Sequence, residues 1–279
     1  MVLKSHAKIN LSLTVNRKLS NGLHNIQSFF CLINIFDRIS IKKLKNEKRD
    51  KIHFSGPFSK QVKKSKNTIQ KVLVIMRKNK LINNYYSVKV YKKIPVFSGL
   101  GGGTSNAASI FKFLLREKVE KKIFNKIVSY VGSDFRLFFY KQAFLKNLQK
   151  IEELNIKYKL YFLVAYPNIK SSTKEVYSKI RSQSANKSFS KKITKSKDVF
   201  INNIKRRKND LQLIVEKKHP IISKLLNSIF IEKGCYFSRM TGSGSSCYGL
   251  FINEHCSKAA LNSLRKKYPK FWFSIAKTI

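Results

Sequence analysis

The run Pro95-Val96-Phe97-Ser98-Gly99-Leu100-Gly101-Gly102-Gly103-Thr104-Ser105-Asn106-Ala107-Ala108 constrains this chain more than any other segment. Its four glycines within five positions admit φ > 0 and let a ligand reach the main chain. Thr104, Ser105 and Asn106 are N-cap residue types, and 107–115 reads as the helix that they start. A glycine loop feeding a helix N-terminus leaves unpaired N–H groups at the positive end of the helix dipole, which makes an anion site. No Gly-Lys-[Ser/Thr] follows, so this is not a nucleotide P-loop. The G-x-G-x-x-G pattern fails as well: counted from Gly99 its third glycine is Thr104, and counted from Gly101 it is Asn106.

Periodicity organises the rest. Residues 8–15 alternate polar and apolar side chains, as a half-buried strand does, and Asn21-Gly22 marks a turn before strands at 29–35 and 37–41. The charged run 42–51 reads as a solvated loop. Apolar residues at helical spacing predict a helix over 67–78, then 86–91 returns to strand alternation. The glycine loop leads into the helix at 107–115, a second helix is expected at 124–131, and 160–165 reads as a buried strand. Residues 181–197, rich in Ser, Lys and Asn, predict a mobile connection. Helices are expected at 209–218, 221–230 and 257–267, with strand–turn–strand character across 234–251. Mixed strands and helices without a repeat give an α+β chain, with a division near 145–160.

Composition narrows the class. The 58 Lys+Arg against 14 Asp+Glu leave a formal charge of +44, spread along all 279 residues and accompanied by no zinc-finger or RRM signature. Specific nucleic-acid recognition is therefore not expected, although the charge attracts small anions at long range. No run approaches the ~18 apolar residues of a membrane span, and the N-terminus has no continuous apolar segment. The expectation is a soluble, cytoplasmic, globular protein. Cys31, Cys235, Cys247 and Cys256 show neither metal-ligand nor disulfide spacing, and Cys31 and Cys247 read as core residues.

With 14 acids in the chain, a general base is easily shortlisted. Asp134, in Gly132-Ser133-Asp134-Phe135, precedes an apolar run and serves there either as an N-cap or as a partly buried functional carboxylate. Glu47, Asp50 and Glu120 stand among Lys and Arg and read as solvated. Lys8 heads the first strand, where a lysine ordinarily faces water. Gly242-Ser243-Gly244 lies between two strand segments, either as a plain turn or as a second ligand loop.

Taken together, Ala7-Lys8-Ile9-Asn10, Gly22-Leu23-His24, the 95–108 loop, Gly132-Ser133-Asp134 and Thr241-Gly242-Ser243-Gly244 resemble the GHMP small-molecule kinases. The resemblance is greatest to those members that act on a cytidine-diphosphate ester of a methylated tetritol. It implies a two-domain α+β fold: an ATP-binding domain over 1–150 with a left-handed βαβ crossover, and an α/β sandwich domain over 151–279 completing the substrate cleft. It further implies ATP on Pro95, Val96, Phe97, Ser98, Gly99, Leu100, Gly101, Gly102, Gly103, Thr104 and Ser105. Mg²⁺ is implied as a cofactor, with Ser105 or Thr104 as its contact. The acceptor would meet Asn10, His24, Thr173, Tyr177, Gly242, Ser243 and Gly244, its cytosine beside His24. Asp134 would take the acceptor's proton, with Lys8 close to it. Three departures stand out: Leu23 replaces the family's tyrosine, Phe135-Arg136 its Val-Pro, and Phe97-Ser98 its small residues. The alternatives are another GHMP kinase, for homoserine, mevalonate or a sugar, and a catalytically lapsed basic protein that binds nucleic acid.

Overall fold

The computed structural model describes residues 2–20, 22–62, 65, 67–115, 119–180 and 196–279. In chain order the elements are β1 (Val2–Asn10), β2 (Thr14–Lys18), β3 (His24–Leu44), β4 (Lys51–Ser55), α1 (Thr68–Lys78), β5 (Tyr85–Tyr91), α2 (Gly102–Leu114) and α3 (Lys121–Val131). There follow β6 (Gln142–Leu145), β7 (Ile151–Glu153), β8 (Tyr161–Tyr166), α4 (Thr173–Ser178), α5 (Lys197–Lys205), α6 (Gln212–Lys218), α7 (Ile221–Phe230), β9 (Cys235–Met240), β10 (Cys247–Phe251), α8 (Glu254–Lys267) and β11 (Trp272–Lys277). Short 3₁₀ turns occupy Ser59–Gln61 and Ser133–Phe139.

The chain forms two compact units, neither contiguous: residues 1–7, 35–96 and 101–139 make the first, and residues 8–34, 97–100 and 140–279 the second. In the first, β4 runs parallel to β5, and β5 pairs antiparallel with the Arg38–Leu44 end of β3. A parallel pair needs a crossover, and α1 supplies it. Asn67 caps α1 by accepting the Gln70 N–H at 2.9 Å, and Ile69, Val72, Leu73, Ile75 and Met76 form its buried stripe, as their spacing predicts. Tyr86, Val88 and Val90 are the inward set of β5.

Two expectations change here. The run 42–51 is not all loop: Lys42, Lys43 and Leu44 extend β3 by pairing with Ser87, Tyr86 and Tyr85. Main-chain pairing tolerates charged side chains that point to water. Asp50 is not a solvated acid either. Its carboxylate is largely buried, taking Arg77 at 3.0 and 3.1 Å and the Tyr86 N–H at 2.9 Å.

In the second unit, β2 pairs antiparallel with the start of β3, residues 28–31 of β3 pair with β6, and β6 pairs with β7. The strand expected at 8–15 is interrupted at Leu11–Leu13, because the Leu11 and Ser12 N–H groups both turn to the Phe29 carbonyl, at 2.7 and 3.3 Å. A separate antiparallel sheet runs β11-β8-β10-β9, with α7 over β9 and β10 and α8 over β8 and β11. Phe162, Leu163, Val164, Ala165, Tyr248 and Phe251 are buried in it. The connection expected at 181–197 falls outside the described residues as far as 195. Ser196 and Lys197 already belong to α5, Ser196 as its N-cap. Among the described residues no helix is long and apolar enough to cross a membrane.

Candidate active site

The site is assembled on main-chain contacts of the second unit. Residues 97–100 lie inlaid across it: the Lys8 N–H donates to the Leu100 carbonyl at 3.0 Å, the Ser246 N–H to Ser98 at 3.0 Å, and the Ser171 N–H to Phe97 at 3.4 Å. Gly99 (φ +80) passes so close to the 241–244 turn that a Cβ there would lie 2.4 Å from the Thr241 carbonyl oxygen. Only glycine fits. Gly99→Ala combines left-handed strain with that clash and is expected to destabilise the protein by about 2–4 kcal/mol, read as a lowered denaturation midpoint at unchanged m-value. An unmoved midpoint would show that this loop is not seated on the turn.

Lys8 is buried, 3 % exposed, and not turned to water as a strand lysine ordinarily is. Its ammonium donates to Asn10 Oδ1, and a Cβ on Gly242 (φ +57) would stand 3.1 Å from Lys8 Nζ and 3.3 Å from Asn10 Oδ1. Asn10 is held in turn, its amide donating to Ser28 Oγ at 2.8 Å and its backbone N–H to Thr241 Oγ1 at 3.0 Å. Asn209 fixes the 240–242 turn by donating to the Met240 and Gly242 carbonyls, both at 2.8 Å. Four residues singled out in the sequence, Lys8, Asn10, Gly99 and Gly242, thus converge on one spot.

Beside them, Ser171 Oγ donates to the Ser243 carbonyl at 2.6 Å and the Thr173 and Ser243 hydroxyls bond at 2.9 Å. Thr173 opens α4, which carries Tyr177; the Tyr177 ring centroid lies 5.7 Å from that of His24. Nδ1 of His24 is buried and finds no hydrogen-bond partner in the described structure. Leu23, beside it, is half exposed.

In the first unit the glycine run becomes the start of α2 earlier than its N-cap residue types predict. Gly101 (φ +73) is the N-cap, and Gly102, Gly103 and Thr104 form the first turn, the Ser105 N–H making the first helical bond to Gly101 at 2.9 Å. Thr104, Ser105 and Asn106 are therefore inside the helix and cap nothing. At Gly102 the space for a side chain is taken: a Cβ there would meet Ile94 at 2.9 Å. The first-turn N–H groups point out of the helix end without intrahelical acceptors.

Ser105 does not fit as a metal contact. Its hydroxyl is buried, donating to the His6 carbonyl at 2.6 Å and accepting from Ser5 at 2.8 Å. Among the described residues no three His, Cys, Asp or Glu side chains gather as a metal-binding group. Asp134 sits half-buried in the Ser133–Phe139 turn, which is anchored by the packed rings of Phe111, Phe124, Phe135 and Phe139. Lys112 reinforces the turn by donating to the Phe138 carbonyl.

Residues 191–270 match the family model for the GHMP kinase C-terminal region. A crystal structure of 4-(cytidine 5′-diphospho)-2C-methyl-D-erythritol kinase superimposes with a TM-score of 0.77 over 99 % of both chains at 20 % identity. Homoserine kinase from Cytophaga hutchinsonii does so at 0.67 and 15 %, covering 99 % of this chain and 95 % of its own. These likenesses show the fold. The family is decided by sequence: the 4-diphosphocytidyl-2-C-methyl-D-erythritol kinase of Pelagibacter ubique is 37 % identical over 285 residues, covering 99 % of this chain and 98 % of its own. The chain belongs to the 4-diphosphocytidyl-2-C-methyl-D-erythritol kinase family. The relative from Wolbachia pipientis wMel, bearing the same name, is 31 % identical over 96 % of this chain and 95 % of its own. The α+β, GHMP-kinase-like fold expected from the sequence is the fold observed.

Three residues that position this family member's loops escape a sequence reading. Asp37 is fully buried; its carboxylate accepts the Lys93 and Ile94 N–H groups at 2.8 and 2.9 Å, the Asn106 amide at 2.9 Å and the Lys92 ammonium. It therefore ties the strand entering the loop to the helix leaving it. Burial lowers the Lys92 pKa from its ordinary value, and the adjoining Asp37 opposes that. Arg239, buried in the second unit, donates to the carbonyls of Leu11, Ile204, Lys205 and Arg207. A charged residue on the apolar parity of an alternation was the available signal for all three: Asp37 falls in step with Ile35 and Ile39, Lys92 with Val88, Val90 and Ile94, and Arg239 with Phe237.

The four cysteines are unpaired. Burial raises the thiols of Cys31 and Cys247 and pushes Cys235 up to about 12, so none of these supplies thiolate near neutrality. Brief alkylation at pH 8 is expected to label Cys256 alone, read by peptide mass mapping. Rapid labelling of Cys31 or Cys247 would show that the core opens.

Proposed function

We propose that this chain transfers the γ-phosphoryl group of ATP to the 2-hydroxyl of 4-diphosphocytidyl-2-C-methyl-D-erythritol, a step of isoprenoid precursor synthesis by the methylerythritol phosphate pathway. The observation that carries the reading is the buried Lys8 ammonium, held at Asn10 and packed so close to Gly242 that a Cβ there would stand 3.1 Å from it. A cation so desolvated is suited to charge that develops during transfer, where it acts more strongly than in water.

In this reading the main-chain N–H groups at the start of α2 hold ATP oxygens, as a helix N-terminus holds phosphate. Asp134 accepts the proton of the 2-hydroxyl as its oxygen bonds to the γ-phosphorus. The bond from that phosphorus to the β–γ bridging oxygen breaks, and ADP leaves. Lys8 shares the negative charge on the phosphoryl group in flight. Phosphoryl transfer asks the protein chiefly for alignment and charge neutralisation, and this set supplies both. Mg²⁺ would arrive with the ATP phosphates, supplying further neutralisation when bound. His24, Tyr177, Thr173 and Ser243 hold the acceptor, the base lying by the unsatisfied Nδ1 of His24. The division into domains near residue 150 and the cytoplasmic location belong to the same proposal.

The test is ADP release with 4-diphosphocytidyl-2-C-methyl-D-erythritol beside homoserine, mevalonate and a sugar panel. Release confined to the cytidyl acceptor is expected. Release with another alcohol alone would move the chain to a different GHMP activity. Tight nucleic-acid binding with no release on any acceptor would support the lapsed, basic protein instead.

A further inference from the structure

Phe97 breaks a local rule without a structural return. Its φ is +58, in the left-handed region that a bulky side chain enters only at a cost. Glycine or asparagine meets that backbone requirement more easily. A ring retained under strain ordinarily fills a core, yet Phe97 is 46 % exposed, while Ser98 and Leu100 in the same inlaid segment are buried.

The surroundings of the residue indicate what the ring is for. The Phe97 carbonyl accepts from Ser171 N–H at 3.4 Å, and Ser171 bonds the Ser243 carbonyl, next to the Thr173–Ser243 hydroxyl pair. The main chain of Phe97 is therefore stitched to the group of residues assigned above to the acceptor. We infer that Phe97, which the resemblance gave to ATP with the rest of its loop, is instead a specificity-determining residue whose ring packs on the bound acceptor, and that its strained backbone is the cost of presenting that ring. The inference rests on the proposed reaction. A flat apolar ring suits the acceptor's base or its methyl-bearing carbon skeleton, both of which offer apolar faces.

Steady-state kinetics and thermal melts of Phe97→Gly and Phe97→Tyr test this. Phe97→Gly is expected to raise the KM for 4-diphosphocytidyl-2-C-methyl-D-erythritol about tenfold, the size of one aromatic contact, with the KM for ATP within about twofold of wild type. Its Tm is expected to be no lower than wild type, because strain is relieved as the ring is lost. Phe97→Tyr keeps the ring and is expected to restore the acceptor KM. An unchanged acceptor KM in an active Phe97→Gly enzyme would overturn the inference alone. A rise in the KM for ATP instead would place the ring on the nucleotide and overturn it too, as would a Tm lowered by several degrees, which marks a packing residue. Wild-type protein that does not phosphorylate the acceptor at all would overturn the proposed function, and this inference with it.

Discussion

Asp134→Asn is expected to lower kcat by roughly 10²-fold or more with 4-diphosphocytidyl-2-C-methyl-D-erythritol, and to leave folding intact. The substitution keeps the shape of a half-buried side chain on a turn whose anchors are the rings of Phe111, Phe124, Phe135 and Phe139, so the turn survives the loss of charge. What disappears, in the proposed mechanism, is the acceptor for the hydroxyl proton. Lys8→Ala is expected to cost a comparable factor by a different route: in the proposed mechanism, removing the ammonium leaves the developing phosphoryl charge without a buried cation. Near-normal turnover in either variant would remove that residue from the mechanism.

The largest expected loss of stability is at Asp37. Asp37→Leu strands the Lys92 ammonium with Asn106 Oδ1, at 3.2 Å, as its remaining acceptor in this network, and leaves the Lys93 and Ile94 N–H groups without their carboxylate. Breaking one side of a buried ion pair costs about 3–5 kcal/mol, because the surviving charge keeps its desolvation penalty. Urea unfolding should show that loss as a lowered midpoint. Adding Lys92→Met to Asp37→Leu removes the stranded charge and is expected to recover part of it, since apolar replacement of both partners is often close to neutral. A double variant no more stable than Asp37→Leu would mean that the main-chain bonds to Asp37, and not the ion pair, carry the energy.

Much of this was legible in the residues because the relevant signals are local. The stripe of α1, its Asn67 cap and the alternation of β5 are set by neighbours within one turn or two residues, and they appear where their patterns put them. The glycine run announced a ligand loop through conformational freedom alone. Its register was misjudged by a few residues, because capping preference ranks Thr104 and Ser105 above glycine, whereas left-handed Gly101 ends the loop and Ser105 is engaged by Ser5 and His6. Two of the elements that were missed depend on distant partners: β11 exists because residues 272–277 find β8, and β6 because residues 28–31 of β3 pair with it.

The sequence by itself determined the residue types of the site and their order: a lysine at 8, a glycine loop at 99–103, an aspartate at 134 and a second glycine turn at 242–244. Such types are chemical facts that need no coordinates, and the family resemblance they carry pointed to phosphoryl transfer. Only the tertiary structure decided that Lys8 is desolvated, that Gly99 and Gly242 are glycines because carbonyl oxygens and an ammonium occupy the space of a side chain, and that Asp37 and Lys92 pair. Burial and close approach depend on groups up to 234 positions apart (Lys8 and Gly242), and no pattern along the chain encodes which distant atoms will fill a given volume.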